Sequence, residues 1–140
     1  MIQSITVQFG IPYGGRFRSD YNLPRTKWLG FCEQDSIMKS QPCISSCQTC
    51  ILACEECLAA MNISGSANRC PNCCRECIQI CSLCISSMIA DSPFSVAICG
   101  LCAAICDDCA IQCSVHNHDH CQRCADTCEA CSKACREIKC

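Results

Sequence analysis

Between Cys43 and Cys57 the chain reads CISSCQTCILACEEC, five cysteines at steps of four, three, four and three. Alternating steps of three and four average about 3.5 residues, so a helix that carries them shows every sulfur along one face. The rhythm returns in Cys70, Cys74, Cys77, Cys81 and Cys84, in Cys99, Cys102, Cys106, Cys109 and Cys113, and in Cys121, Cys124, Cys128, Cys131 and Cys135. Twenty of the 23 cysteines thus fall into four stripes of five, leaving Cys32, Cys73 and Cys140 outside. Four helical segments with one repeated face are an internal repeat, and their stripes must face inward together. Neither a disulfide framework nor a single zinc site needs such spacing.

Local signals punctuate the repeat. Ser40-Gln41-Pro42 predicts the start of the first helix, with proline in its first turn, and the run from Asn62 to Ser66 predicts its end. Pro71 requires the second helix to start near Cys70 or to be distorted in its first turn. Ser92 and Pro93 read as the N-cap and first residue of the third helix. The polar run His116-Asn117-His118-Asp119-His120 separates the third from the fourth. Short connections between helices of about 30 Å imply antiparallel neighbours. The expected fold is all-α, an antiparallel up-down-up-down four-helix bundle with a Cys-lined core, preceded by a non-helical N-terminal arm.

The arm covers residues 1–40 and the bundle residues 41–140. The two differ in chemistry: six of the seven aromatics (Phe9, Tyr13, Phe17, Tyr21, Trp28 and Phe31) lie in the arm. The arm carries five basic residues against three acidic, and the bundle six against ten. This distribution speaks against nucleic-acid binding. Ile5, Val7, Phe9 and Ile11 alternate as in a short strand, and a Gly14-Gly15 turn follows. Such an arm cannot fold alone, so it is expected to dock on a neighbouring subunit, with folding back over its own bundle as the alternative. The first residues show no basic segment followed by an apolar stretch and cleavage site, and the cysteine count is odd. Both features point to a cytoplasmic protein with reduced thiols rather than a secreted disulfide scaffold. No uninterrupted apolar run is long enough to predict a membrane span.

Ile44, Ile51 and Leu58 lie one step past stripe cysteines, as do Ile78 and Ile85, and Ile98, Ile105 and Ala110 follow approximately. They are expected to pack the helix flanks or a subunit interface. Cysteine alone is too small to fill such a core at native density, so something else should occupy the middle. Thiolate is the metal-binding form, and buried negative charge must be compensated. Zinc held by four thiolates keeps a charge of −2 at every site, and stacked anionic sites repel by several kcal/mol. Cu(I) is soft and monovalent, so one ion per thiolate leaves the core neutral however many are bound. Pairs three or four residues apart on one helix suit its low coordination number. Met61, Met88 and His116 continue the cysteine face where a helix runs out. Met61, His116, His118 and His120 should share one mouth, with Met88 and Met38 toward the other. His118 reads as a solvated loop residue, which leaves Met61, His116, His120 and Met88 as candidate mouth ligands.

HNHDHCQRCADTCEACSKAC, together with the four-stripe plan, resembles the bacterial copper storage proteins and their Cys-rich four-helix-bundle relatives over roughly residues 41–140. The resemblance implies a cytosolic store of many Cu(I) ions held by the twenty stripe cysteines, often as a homotetramer. His116, His120 and Met61 carry over at the mouth. Copper ions, and a copper chaperone to deliver them, are the partners such a store would use. No general base, nucleophile or phosphate loop suggests an enzyme. The alternative is an electron carrier with several iron–sulfur clusters, since Cys-x-x-Cys is common to both. The ferredoxin run of three cysteines at steps of three is missing from the stripes.

Overall fold

The computed structural model describes residues 36–65 and 67–139, with side chains from Lys39 onward. These residues form four helices: α1 (Ser36–Ser64), α2 (Cys70–Ile89), α3 (Ser95–Ser114) and α4 (Asp119–Arg136). Each packs on its sequence neighbours, and α4 closes the ring against α1. The result is the up-down-up-down bundle that the stripes predict, with every stripe sulfur at most 1% exposed. Most of the predicted arm, with its strand, its docking contact and Cys32, lies outside the described residues, as do Cys140 and the Met38 side chain.

Two helix starts differ from the sequence reading. α1 begins at Ser36, so Pro42 lies inside the helix rather than in its first turn. The stripe explains the extension: Ser40 lies three residues before Cys43 on the same face and is 4% exposed, so packing holds the turn that proline weakens. α3 begins at Ser95, with Phe94 at the N-cap position instead of Ser92. Ser92 Oγ does accept the Phe94 N–H at 3.3 Å, but within the preceding turn. That turn is committed to ending α2. Asp91 adopts φ 49°, and the N–H groups of Asp91 and Ser92 return to the carbonyls of Met88 and Ser87 at 3.2 and 2.9 Å. This is the left-handed closure usual at helix ends. Pro71 sits in the first turn of α2, where its missing N–H costs nothing, and Asn68 Oδ1 accepts the Cys70 N–H at 3.0 Å. Gly65, at φ 66°, follows the last residue of α1.

The flanking aliphatics take their expected places. Ile44 is buried, while Ile51, Leu58, Ile78, Ile85, Ile98, Ile105 and Ala110 pack partly buried against the sulfur core. Between α3 and α4, the buried Ser132 hydroxyl bonds Asp107, which also pairs with Arg136.

Contrary to the sequence expectation, α3 and residues 39–64 of α1 are long and apolar enough to cross a membrane, with mean hydropathies of 1.7 and 1.2. Much of that apolarity is contributed by cysteine, and the cysteine faces are turned toward one another inside the bundle.

Candidate metal centre

Antiparallel packing turns the four stripes into five layers, each built from one cysteine of every helix. The base layer is Cys43, Cys84, Cys99 and Cys135, with Cys43–Cys135 at 3.5 Å and Cys84–Cys99 at 3.4 Å. Above it lie Cys47, Cys81, Cys102 and Cys131, whose sulfurs are all within 4.8 Å of one another. In the central layer, Cys50 approaches Cys77 and Cys128 at 3.5 Å, and Cys77 approaches Cys106 at the same distance. Cys54, Cys74, Cys109 and Cys124 follow, with Cys54–Cys124 at 3.6 Å and Cys74–Cys124 at 3.9 Å. The mouth layer is Cys57, Cys70, Cys113 and Cys121, where Cys70–Cys113 is 2.9 Å and Cys57–Cys121 is 3.8 Å.

Successive layers also touch. Cys102–Cys106 and Cys124–Cys128, each one turn apart on a helix, are 4.0 Å apart. Sulfurs therefore meet more closely across helices than along them. The space that cysteine was expected to leave for another occupant is closed by the helices drawing together on sulfur, and the diagonal pair α2–α4 meets through Cys77–Cys128 at 3.8 Å. Quartets such as Cys54, Cys109, Cys124 and Cys128 bring four soft donors within reach of one ion.

The ends differ. At the mouth, His120 lies in the first turn of α4, half-buried, with Nδ1 3.4 Å from both Cys57 Sγ and Cys121 Sγ. His118, exposed at the N-cap position of α4, stacks on it with ring centroids 5.4 Å apart. His116 is held through its backbone: its N–H bonds the Cys113 carbonyl, and its own carbonyl accepts Gln122 Nε2 at 2.6 Å. Met61 is buried in the sulfur cluster toward this end, and Met88 toward the other. The structure thus brings His120, rather than His116, against the sulfurs.

Cys73, which the stripes leave out, is 3% exposed and joins the same buried cluster. Its signal was legible: Cys73 lies three residues after Cys70 and four before Cys77, the repeat's own steps.

Electrostatics in the column follow from burial and from thiols facing thiols. Burial is the leading cause that pushes Cys121 up to about 12, and it raises Cys70 as well. Neighbouring thiol donors, Cys106 foremost, bring Cys50 down to about 7. Cys113 foremost brings Cys57 to about 6, with His120 adding in the same direction. Among the described residues no Lys or Arg side chain is buried beside the column to balance a thiolate, so metal is the counter-charge that its chemistry invites.

A helical bundle whose axis is a continuous column of reduced thiols defines a binder of many soft, low-charge metal ions. The chain belongs to the copper storage protein family, whose model matches residues 36–140. A 51-residue stretch is 43% identical to the uncharacterized cysteine-rich protein YhjQ of Bacillus subtilis, covering 36% of this chain and 47% of that one, about half its length. Among solved structures, apo copper storage protein 3 from Bacillus subtilis is similar at TM-score 0.65 and 43% identity, over 69% of this chain and 95% of its own. The Cu(I)-bound form of copper storage protein BsCsp3 matches at TM-score 0.65 and 40% identity, over 70% and 95%. The Nmul_A1745 protein from Nitrosospira multiformis matches at 0.63 and 29%, over 71% and 93%.

Proposed function

We propose that the protein is a cytoplasmic store that holds many Cu(I) ions on the stripe cysteines and releases them again, rather than an enzyme. The observation that carries this reading is the five-layer thiol column. Each Cu(I) replaces one thiol proton, so filling leaves the core neutral at every stage. The Cu(I)-bound state of the similar BsCsp3 structure supports the choice of metal. Touching sulfurs favour bridged Cu(I) over the iron–sulfur alternative, because cubanes would require the helices to spread to admit inorganic sulfide. His120 and Met61 would receive or deliver ions at the mouth, and Met88 would cap the base. A copper chaperone would dock at the mouth. Exposed Phe94, Leu101, Ile111 and Val115, on and beside α3, support assembly into a homo-oligomer such as a tetramer.

An anaerobic Cu(I) titration of the reduced protein against a chromophoric chelator tests the reading. Saturation near one copper per stripe cysteine, about twenty, is expected. Saturation at one or two ions would overturn it.

A further inference from the structure

Residues 77–106, from the middle of α2 through the turn into α3, contain a single charged side chain, Asp91. The surface they show is correspondingly apolar. Ile89, Phe94 and Val96 are all exposed around that one turn, Ile89 at 63% and Phe94 at 68%. Phe94 is also the only aromatic in residues 41–140. Large apolar side chains gathered in this way mark a surface that something covers. It lies at the base end of the bundle. α1 starts at Ser36, seven residues before Cys43, and so projects about 10 Å beyond the base layer. Ile89 lies five residues after Cys84 and Phe94 five before Cys99, both of that layer, so the turn projects in the same direction. Residues 1–35 therefore join the bundle at the end where the apolar turn stands. They precede the family match, which starts at residue 36, so they are an addition to the bundle that the family shares. They also hold six of the seven aromatics, and Arg16 and Arg18 flank Phe17.

We infer that residues 1–35 cover the α2–α3 turn of their own chain, packing aromatic side chains on Ile89, Phe94 and Val96 and setting an arginine beside Asp91. Reach is ample. α3 is diagonal to α1, so the turn lies roughly 10–15 Å away across the base for helices packed about 8–10 Å apart. About five residues at roughly 3.3 Å each span that gap, which leaves about 30 for contact. So short a tether holds the arm near its own bundle at an effective concentration of about millimolar, which favours its own turn over a neighbour's. Leu101, Ile111 and Val115, further along α3, stay open to contact between copies. The base of the thiol column is then covered, and the mouth with His120 is its open end.

Trp28 is the only tryptophan, so its fluorescence reports on the arm alone. In the reduced, metal-free full chain its emission should lie to the blue of the same protein unfolded in urea, with several-fold weaker quenching by acrylamide. Ile89→Lys combined with Phe94→Lys, at two exposed positions outside the core, should return both readings most of the way to the unfolded values. Ile63→Lys, exposed at the mouth end, should move neither. The parent readings should also hold on dilution through the range where light scattering shows the mass falling. Emission in the parent already at the unfolded value overturns the inference, as does shelter that the paired substitution leaves unchanged. Shelter lost on dilution assigns the surface to a neighbour's arm and overturns it equally. Oligomeric mass lost in the paired variant with Trp28 unmoved places a second copy on the surface instead. None of these outcomes touches the storage reading, because no residue substituted here is a copper ligand.

Discussion

Copper loading should release close to one proton for each ion bound. Twelve of the buried thiols are shifted upward and keep their protons at neutral pH. Nine are shifted downward. If those nine were all ionised beforehand, filling the core would release only roughly 0.6 proton per copper. Geometry forbids that state. Cys50 and Cys77 are both in the lowered set, yet their sulfurs are 3.5 Å apart. Two thiolates at that distance repel by about 5 kcal/mol even at an effective dielectric of about 20. Cys47 and Cys131, at 3.6 Å, repeat the conflict. Ionising one member of a pair therefore keeps the proton on the other. With no Lys or Arg buried among the described residues, the remaining thiolates would be uncompensated, so the metal-free core stays almost neutral. The measurement is an anaerobic pH-stat titration in minimal buffer at neutral pH, with Cu(I) supplied as its acetonitrile complex, which carries no proton. A ratio near one is expected throughout filling. A ratio at or below about 0.6 would refute the neutral core, and with it the charge argument for Cu(I).

Ile80→Ala should destabilise the metal-free bundle by about 2–4 kcal/mol in urea unfolding and leave copper capacity unchanged, because this 7%-exposed side chain packs the flank without offering a ligand. Equal stability would mean that sulfur contacts alone hold the fold. Asp91→Gly should raise stability by about 0.5 kcal/mol, since Asp91 sits at φ 49° where glycine carries no Cβ penalty; a lower urea midpoint would contradict this. Asp107 is held below the usual carboxylate range by Arg136 first and then Ser132. Its stabilisation is thus complete above the unfolded value of about 3.9 and lost as pH falls through the lower folded value. Thermal melts of Asp107→Asn should therefore converge with the parent in acid and fall below it at neutral pH, whereas a constant gap would rule out the ion pair as the cause. His120→Ala should keep the copper capacity but alter the rate of transfer to a chelator, because only the mouth contact to Cys57 and Cys121 is lost; an unchanged rate would remove His120 from the transfer path.

The bundle was legible because periodicity specifies a helical face without reference to what lies opposite it. Steps of four and three place Cys47, Cys50 and Cys54 on one side of α1 whatever they meet. Antiparallel order then dictates the layers: Cys43 must lie near Cys135, and Cys57 near Cys121. What the sequence could not convey depended on competition between neighbouring signals. Pro42 resembled a helix start until the buried Ser40 continued the stripe beyond it. Ser92 resembled an N-cap, yet its backbone N–H was needed by Ser87 to close α2, which displaced the start of α3 to Ser95. The mouth turned on one residue of helical phase. His116 continues the stripe three residues after Cys113, but α3 ends at Ser114, so the phase is lost before it is reached. His120 lies inside α4, where the helix fixes its direction toward Cys57. Cys73 was overlooked for the opposite reason: its steps of three and four fit the repeat, but the five-member stripe was complete without it. A strict repeat draws the eye to its own period, and a buried cysteine on the adjacent column shows only once the helices are packed.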